Sequence, residues 1–133
     1  MIIPHLSLVK TTNIKKLFTI SKVRQFTINS DEPLNSNGTD LAPSPFDLLN
    51  ASLASCTAIF IRLFAQKNNI NIGEISIKIK IKKNENNGFL FERSISFENQ
   101  ISNRDKDLIL VAVRDTPVTK IIRLSQPIET KIM

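Results

Sequence analysis

Residues 43–58 read Pro-Ser-Pro-Phe-Asp-Leu-Leu-Asn-Ala-Ser-Leu-Ala-Ser-Cys-Thr-Ala, and this stretch decides the fold. Ser44 carries the side chain of a helix N-cap, and Pro45 suits the first helical position. Asp47 stands three residues after the cap, where its carboxylate reaches back to the cap N–H and meets the positive end of the helix. The apolar spacing predicts a helix from Pro45 to Asn68 or Asn69, roughly 36 Å long at 1.5 Å per residue. Leu48, Leu49, Leu53, Cys56, Ile59, Phe60, Leu63 and Phe64 cover one broad face, and Ala51, Ala54, Ala58 and Ala65 lie together on another. An apolar face beside a small-residue stripe suits a central helix touched by more than one partner.

Upstream, residues 30–44 (SDEPLNSNGTDLAPS) gather turn-forming residues and predict a loop. Residues 6–29 alternate loosely. Phe18, Ile20, Val23, Phe26 and Ile28, broken at Ser21-Lys22, predict two strands joined by a short turn. Downstream, residues 73–83 (GEISIKIKIKK) send Ile75, Ile77, Ile79 and Ile81 one way and Ser76, Lys78, Lys80 and Lys82 the other, a strand with one buried face. Asn84 to Gly88 supplies a turn, and Phe89, Phe91, Ile95 and Phe97 continue into the second strand of a hairpin. Asn103 or Asp105 opens a second helix through Leu108, Leu110, Val111 and Val113. Thr116-Pro117 reads as a fresh N-cap and first residue of a short third helix to about Leu124. Residues 127–132 (PIETKI) predict a final strand. The order β-β-α-β-β-α-α-β is α+β, an antiparallel sheet with helices packed on it. With no repeat and no linker, residues 1–133 read as a single domain.

The totals exclude several classes. The chain has 133 residues, enough to bury a core without disulfides or metals. One cysteine excludes an internal disulfide and a cysteine-cluster metal site. With His5 as the single histidine, a His-based zinc site is not expected, and no cofactor is implied. Lys10, Lys15 and Lys16 interrupt the N-terminal stretch, which does not read as a secretory signal. The most apolar run, Ala58 to Ala65, is short and contains Arg62, so no membrane span is expected. The expected setting is the reducing cytoplasm. The formal charge of +6 reads first as a solvated basic surface. Lys78, Lys80 and Lys82 could face nucleic-acid phosphates, but no aromatic is interleaved with them, and lysines also guard a strand against pairing with other chains. A nucleic-acid partner is therefore not expected.

Loop and first helix together resemble the OsmC/Ohr family of peroxide-defence proteins. The likeness is carried by Asp31-Glu32-Pro33, Gly38-Thr39-Asp40 and Pro43-Ser44-Pro45-Phe46-Asp47-Leu48-Leu49. It runs on through Ala51, Leu53-Ala54-Ser55-Cys56-Thr57 and Leu63-Phe64-Ala65. Pro117-Val118-Thr119-Lys120 is similar to the family's C-P-V-x-K segment. The resemblance implies an α+β fold with two central helices wrapped by antiparallel sheets, in an intertwined homodimer with sites at the subunit boundary. It also implies reduction of hydroperoxides by a first cysteine, here Cys56. That cysteine becomes a sulfenic acid and condenses with a second cysteine, and an external dithiol then restores the pair.

This chain departs from that pattern at three places. The position of the second cysteine holds Thr116, so the two-cysteine cycle is impossible within one chain. Where peroxidase members carry a glutamate directly after the helix-start proline, this chain has Phe46, with Asp47 one residue later and about 100° around the helix. Asp47 is read as a cap first. The family's activating arginine has no counterpart in residues 30–44, which leaves Arg24 as the nearest candidate.

The residues therefore carry two readings. In the first, Cys56 attacks a hydroperoxide and an external thiol reductant resolves the sulfenic acid, with Arg24, Asp47 and Thr116 as supporting candidates. In the second, Cys56 is a small buried hydrophobe, and a dimeric, non-catalytic module binds an apolar ligand between its central helices. Thr116 on its own reads as a helix N-cap. Arg24 and Arg62 on their own read as solvated surface arginines.

Overall fold

Three strands, rather than two, precede the long helix. The computed structural model describes residues 6–133, so His5 lies outside the described residues. Strands β1 (Lys10–Lys15), β2 (Phe18–Val23) and β3 (Phe26–Ser30) form an antiparallel sheet in that order. Ser21 and Lys22, expected as a break, lie inside β2, with Ser21 paired to Thr11 on one side and Ile28 on the other. The Thr11 and Ser21 hydroxyls are 2.7 Å apart, a cross-strand hydrogen bond that suits both residues to a sheet. The turns fall instead at Lys16 and Arg24, whose backbones are left-handed with φ of 53° and 50°. Non-glycine residues seldom take that conformation. Neither turn contains the Gly, Asn or Pro that marks one in a sequence.

The loop after β3 is built around a carboxylate. Asp31, 1% exposed, accepts hydrogen bonds from the Thr39 hydroxyl and from the N–H groups of Glu32 (2.8 Å), Leu41 (3.2 Å) and Thr39 (3.4 Å). The Thr39 hydroxyl first, then the backbone donors, hold its pKa at about 2 against the burial that works to raise it. Gly38 closes the loop. A side chain there would place its Cβ 1.8 Å from the Glu32 carbonyl oxygen, so the backbone approach requires glycine.

Helix α1 spans Pro45–Lys67. Its start is the expected reciprocal cap: the Ser44 N–H donates to Asp47 Oδ2 (3.0 Å), and the Asp47 N–H donates to Ser44 Oγ (3.1 Å). The chain divides into two compact units, the first ending at Ala51 and the second running Ser52–Met133.

The second unit contains the rest of α1, a hairpin of β4 (Ile75–Lys83) and β5 (Phe89–Phe97), and helices α2 (Asn103–Ala112) and α3 (Pro117–Arg123). Its core joins Ile61 and Ala65 of α1 to Ile72, Ile109 and Val113, with Ile75, Ile77, Ile95 and Phe97 packed against them. Each fully buried isoleucine contributes about 1.5–3 kcal/mol. The buried stripe of α1 is Leu53, Thr57, Ile61 and Ala65, at four-residue spacing. This corrects the expected face: Leu49, Ile59 and Leu63 are 36%, 56% and 42% exposed. The hairpin and α2 take the stripe that contains the smaller Thr57 and Ala65, and the bulkier stripe is left outside.

Two further expectations are corrected. Residues 127–132 form no strand: Ile128 and Ile132 stay exposed, and the segment joins neither ladder. Arg62 is not a solvated arginine, since its guanidinium donates to the Gly73 carbonyl and ties α1 to the approach to β4. Among the described residues, α1 alone is long and apolar enough to cross a membrane. Its stripe Leu53, Thr57, Ile61 and Ala65 is buried in the second unit, and Arg62 tethers it to Gly73.

Candidate functional site

Arg93 occupies a position in β5 that the strand pattern reserves for an apolar side chain. Side chains alternate across a strand, so Phe89, Phe91, Arg93, Ile95 and Phe97 share a face, and Arg93 pairs with Ile79 across the ladder. A guanidinium directed into a core is costly unless its donors are met. Here they are met by three elements. Nη1 donates to Thr57 Oγ1 of α1 (2.9 Å) and to Thr119 Oγ1 of α3 (2.9 Å), and Nη2 donates to the carbonyl of Val113 at the end of α2 (3.0 Å).

Thr57 is fully buried, and its own hydroxyl donates to the Leu53 carbonyl (2.7 Å), which leaves its oxygen free to accept from Arg93. Thr119 Oγ1 is in turn 2.6 Å from Thr116 Oγ1.

Cys56 immediately precedes Thr57 on α1 and is half-buried. Burial pushes the Arg93 guanidinium below its ordinary value, and a negative charge at Cys56 works in the opposite direction. The two groups therefore lie within electrostatic reach. Arginine stays charged throughout the physiological range, so a fixed cation is bonded to the α1 turn that carries the thiol. Three of the five guanidinium N–H groups are engaged; Nε–H and one Nη2–H find no acceptor among the described residues. Arg93 and Thr119 also line an open cleft of about 780 Å³ whose walls include Leu53, Phe91, Leu110 and Ile122.

The structure thus gathers Cys56 and Thr116 into one unit with three residues that sequence reasoning passed over: Thr57, Thr119 and Arg93. Thr116 holds the N-cap position of α3 with extended backbone, but its side chain makes no cap hydrogen bond. The cap reading of its hydroxyl is therefore corrected, because that oxygen is fully buried and turned to Thr119. Asp47 is engaged with Ser44 as a cap in the first unit. Arg24, in the β2–β3 turn, lies over the Phe26 ring at 5.0 Å from its centre, a cation–π contact. Among the described residues no group of three or more His, Cys, Asp or Glu side chains converges on a metal position. The lysine face of β4 is broken by Glu92, which pairs with Lys82 at 2.8 Å and stands opposite Lys80.

One signal for Arg93 was present in the sequence. In Phe89-Leu90-Phe91-Glu92-Arg93-Ser94-Ile95-Ser96-Phe97, a cation interrupts an otherwise unbroken apolar alternation. A charge in the buried register of a strand implies partners waiting on other elements.

The family model described as OsmC-like protein matches residues 38–131. Among solved structures, the chain is similar to a protein of Psychrobacter arcticus 273-4 described as an osmotic stress induced and detoxification response protein. The two share 23% identity over 90% of each chain, with a TM-score of 0.76. It is also similar to the OsmC like protein from Mycoplasma pneumoniae, at 17% identity over 91% of this chain and 89% of that one, with a TM-score of 0.71. An organic hydroperoxide resistance protein from Elizabethkingia anophelis gives 21% identity over 92% and 91%, with a TM-score of 0.68. The curated proteins contain no match to the chain. These likenesses show a shared α+β fold with two antiparallel sheets.

Proposed function

The chain belongs to the OsmC-like protein family, and from that membership we propose that it is a thiol protein of peroxide defence in which Cys56 reduces a hydroperoxide. The observation that carries this reading is the Arg93 guanidinium, anchored on three elements and bonded to Thr57 next to the thiol, with two N–H groups that meet no acceptor among the described residues. The names of related structures, which include organic hydroperoxide resistance proteins, support the substrate class.

In the chemistry, the Cys56 thiolate attacks one peroxide oxygen. An S–O bond forms, the O–O bond breaks, and the alkoxide leaves and takes a proton from solvent as the alcohol. Sulfur is oxidised by two electrons to the sulfenic acid and the peroxide is reduced by two. A nearby cation stabilises both the attacking thiolate and the departing alkoxide. With Thr116 in place of a second thiol, resolution falls to an external thiol. One thiol displaces water from the sulfenic acid to give a mixed disulfide, and a second releases Cys56 as the thiol together with the oxidised reductant.

A second copy of the chain belongs to this reading. The exposed stripe Leu49, Ile59 and Leu63 runs along α1 on the face that also bears Cys56, and apolar side chains at that spacing suit a homodimer built on this helix. The cytoplasm is the setting that suits a working free thiol.

The test treats purified protein with one equivalent of cumene hydroperoxide and a dimedone-type trap, and follows intact mass. Rapid trapping on Cys56, together with peroxide consumption under a thiol reductant that Cys56→Ser abolishes, is the expected result. An unmodified Cys56 would overturn the reading. It would turn attention to the non-catalytic alternative, an apolar ligand in the cleft lined by Leu53, Phe91, Leu110 and Ile122.

A further inference from the structure

Two threonine hydroxyls in the second unit are spent in a way that packing does not require. Thr116 is fully buried and stands at the N-cap position of α3, where a threonine side chain ordinarily accepts from the helix backbone. It makes no such bond, and its oxygen lies 2.6 Å from Thr119 Oγ1. Thr119 Oγ1 is itself 2.9 Å from Arg93 Nη1. Valine has the shape of threonine and would fill either place without a buried hydroxyl to satisfy. What the two hydroxyls add is a line of hydrogen bonds that ends on the guanidinium. In the arrangement where Thr119 donates to Thr116, the Thr119 oxygen is polarised into a stronger acceptor for Arg93. The opposite Nη1 hydrogen is held by Thr57, the residue next to Cys56. The guanidinium is thereby fixed from the α1 side and the α3 side at once.

We infer that Thr119, backed by Thr116, is a positioning residue that holds Arg93 against the Cys56 turn of α1. The position where the family carries a second thiol then serves in this chain to orient a cation. The inference rests on reading Cys56 as the reacting thiol. Arg93 is the group that acts on the sulfur, and Thr119 and Thr116 act only through it. With their hydroxyls removed, Nη1 loses one of its two acceptors, and only Thr57 and Val113 hold the guanidinium beside the open cleft that it already lines.

The experiment measures the rate constant for iodoacetamide alkylation of Cys56 at pH 7 in the intact protein, alongside hydroperoxide consumption. Thr119→Val is expected to slow alkylation about fivefold and Thr116→Val about twofold, in keeping with loss of one charge-assisted hydrogen bond and of its support. Thr119→Ser, which keeps the hydroxyl, is expected to stay within about twofold of the parent. The decisive readout is the double-mutant cycle: in an Arg93→Met background, Thr119→Val should have no further effect. Equal slowing with and without Arg93, or an unchanged rate in Thr119→Val, would overturn the inference. Far-UV circular dichroism confirms the fold of each variant, and Thr119→Ala replaces Thr119→Val if the latter does not fold. The two readings fail separately. Absence of hydroperoxide consumption with an intact alkylation cycle removes the peroxidase reading alone. Peroxide turnover that ignores Thr119 removes the positioning role alone.

Discussion

Arg93 stands directly opposite Ile79 in the β4–β5 ladder, so a guanidinium occupies a place whose neighbours on the same face are Ile77, Ile81, Phe91 and Ile95. Arg93→Met keeps the length of the side chain and suits those neighbours. Thr57 and Thr119 retain their other hydrogen bonds, to Leu53 and to Thr116. Replacing a buried charge by an apolar side chain of similar size is often close to neutral. Arg93→Met is therefore expected to change stability by less than about 2 kcal/mol while slowing the reaction of Cys56 with hydroperoxide tenfold or more, roughly one transition-state hydrogen bond. Urea titration and single-turnover trapping read the two quantities separately. Full reactivity in a folded Arg93→Met protein would remove Arg93 from the chemistry.

Asp31 makes the first unit acid-sensitive. Its folded pKa of about 2, set first by the Thr39 hydroxyl, lies below the ordinary 3.8. A depressed carboxylate contributes stability that is present above the unfolded value and is lost as pH falls through 3.8 toward about 2. Thermal unfolding followed by circular dichroism should show the midpoint falling across that window. Asp31→Asn should be less stable at pH 7 and should flatten that part of the profile. An identical pH profile in the variant would show that another group governs acid unfolding.

Ile59, 56% exposed on α1, tests the second copy. Ile59→Glu places a charge in the centre of the apolar stripe, and burial of an unpaired charge at an interface costs several kcal/mol. Sedimentation velocity should show the parent as a dimer and the variant as a monomer at micromolar concentration. A parent that sediments as a monomer throughout would exclude assembly through this face.

The long helix was legible because its signals are local. Ser44, Pro45 and Asp47 lie within four residues, and their cap forms as the spacing requires. The hairpin was legible for the same reason, through the alternation of Ile75 to Ile81 around the Asn84–Gly88 turn. The site was legible only at Cys56 and, by resemblance, at Thr116. Arg93 was not, because its partners Thr57, Thr119 and Val113 lie 36, 26 and 20 residues away and become neighbours only when α1, α2 and α3 have docked. The third strand was missed because Lys16 and Arg24 turn the chain without a turn residue. Ile128 and Ile132 have the apolar spacing of a strand, but spacing alone does not supply a pairing partner, and both stay exposed outside the two ladders.

The arginine also constrains the route by which the second unit assembles. A hairpin closed on its own holds the cation in the middle of its apolar face, open to water. Adding α1 supplies one acceptor, the end of α2 a second and α3 a third, and no single docking event supplies all of them. Each docking covers part of a half-exposed guanidinium and supplies an acceptor in return. The full set of acceptors therefore exists only when all three helices have docked. Amides in β5 and in α1 are expected to exchange with solvent through a common opening, measurable as matched protection by native-state hydrogen exchange.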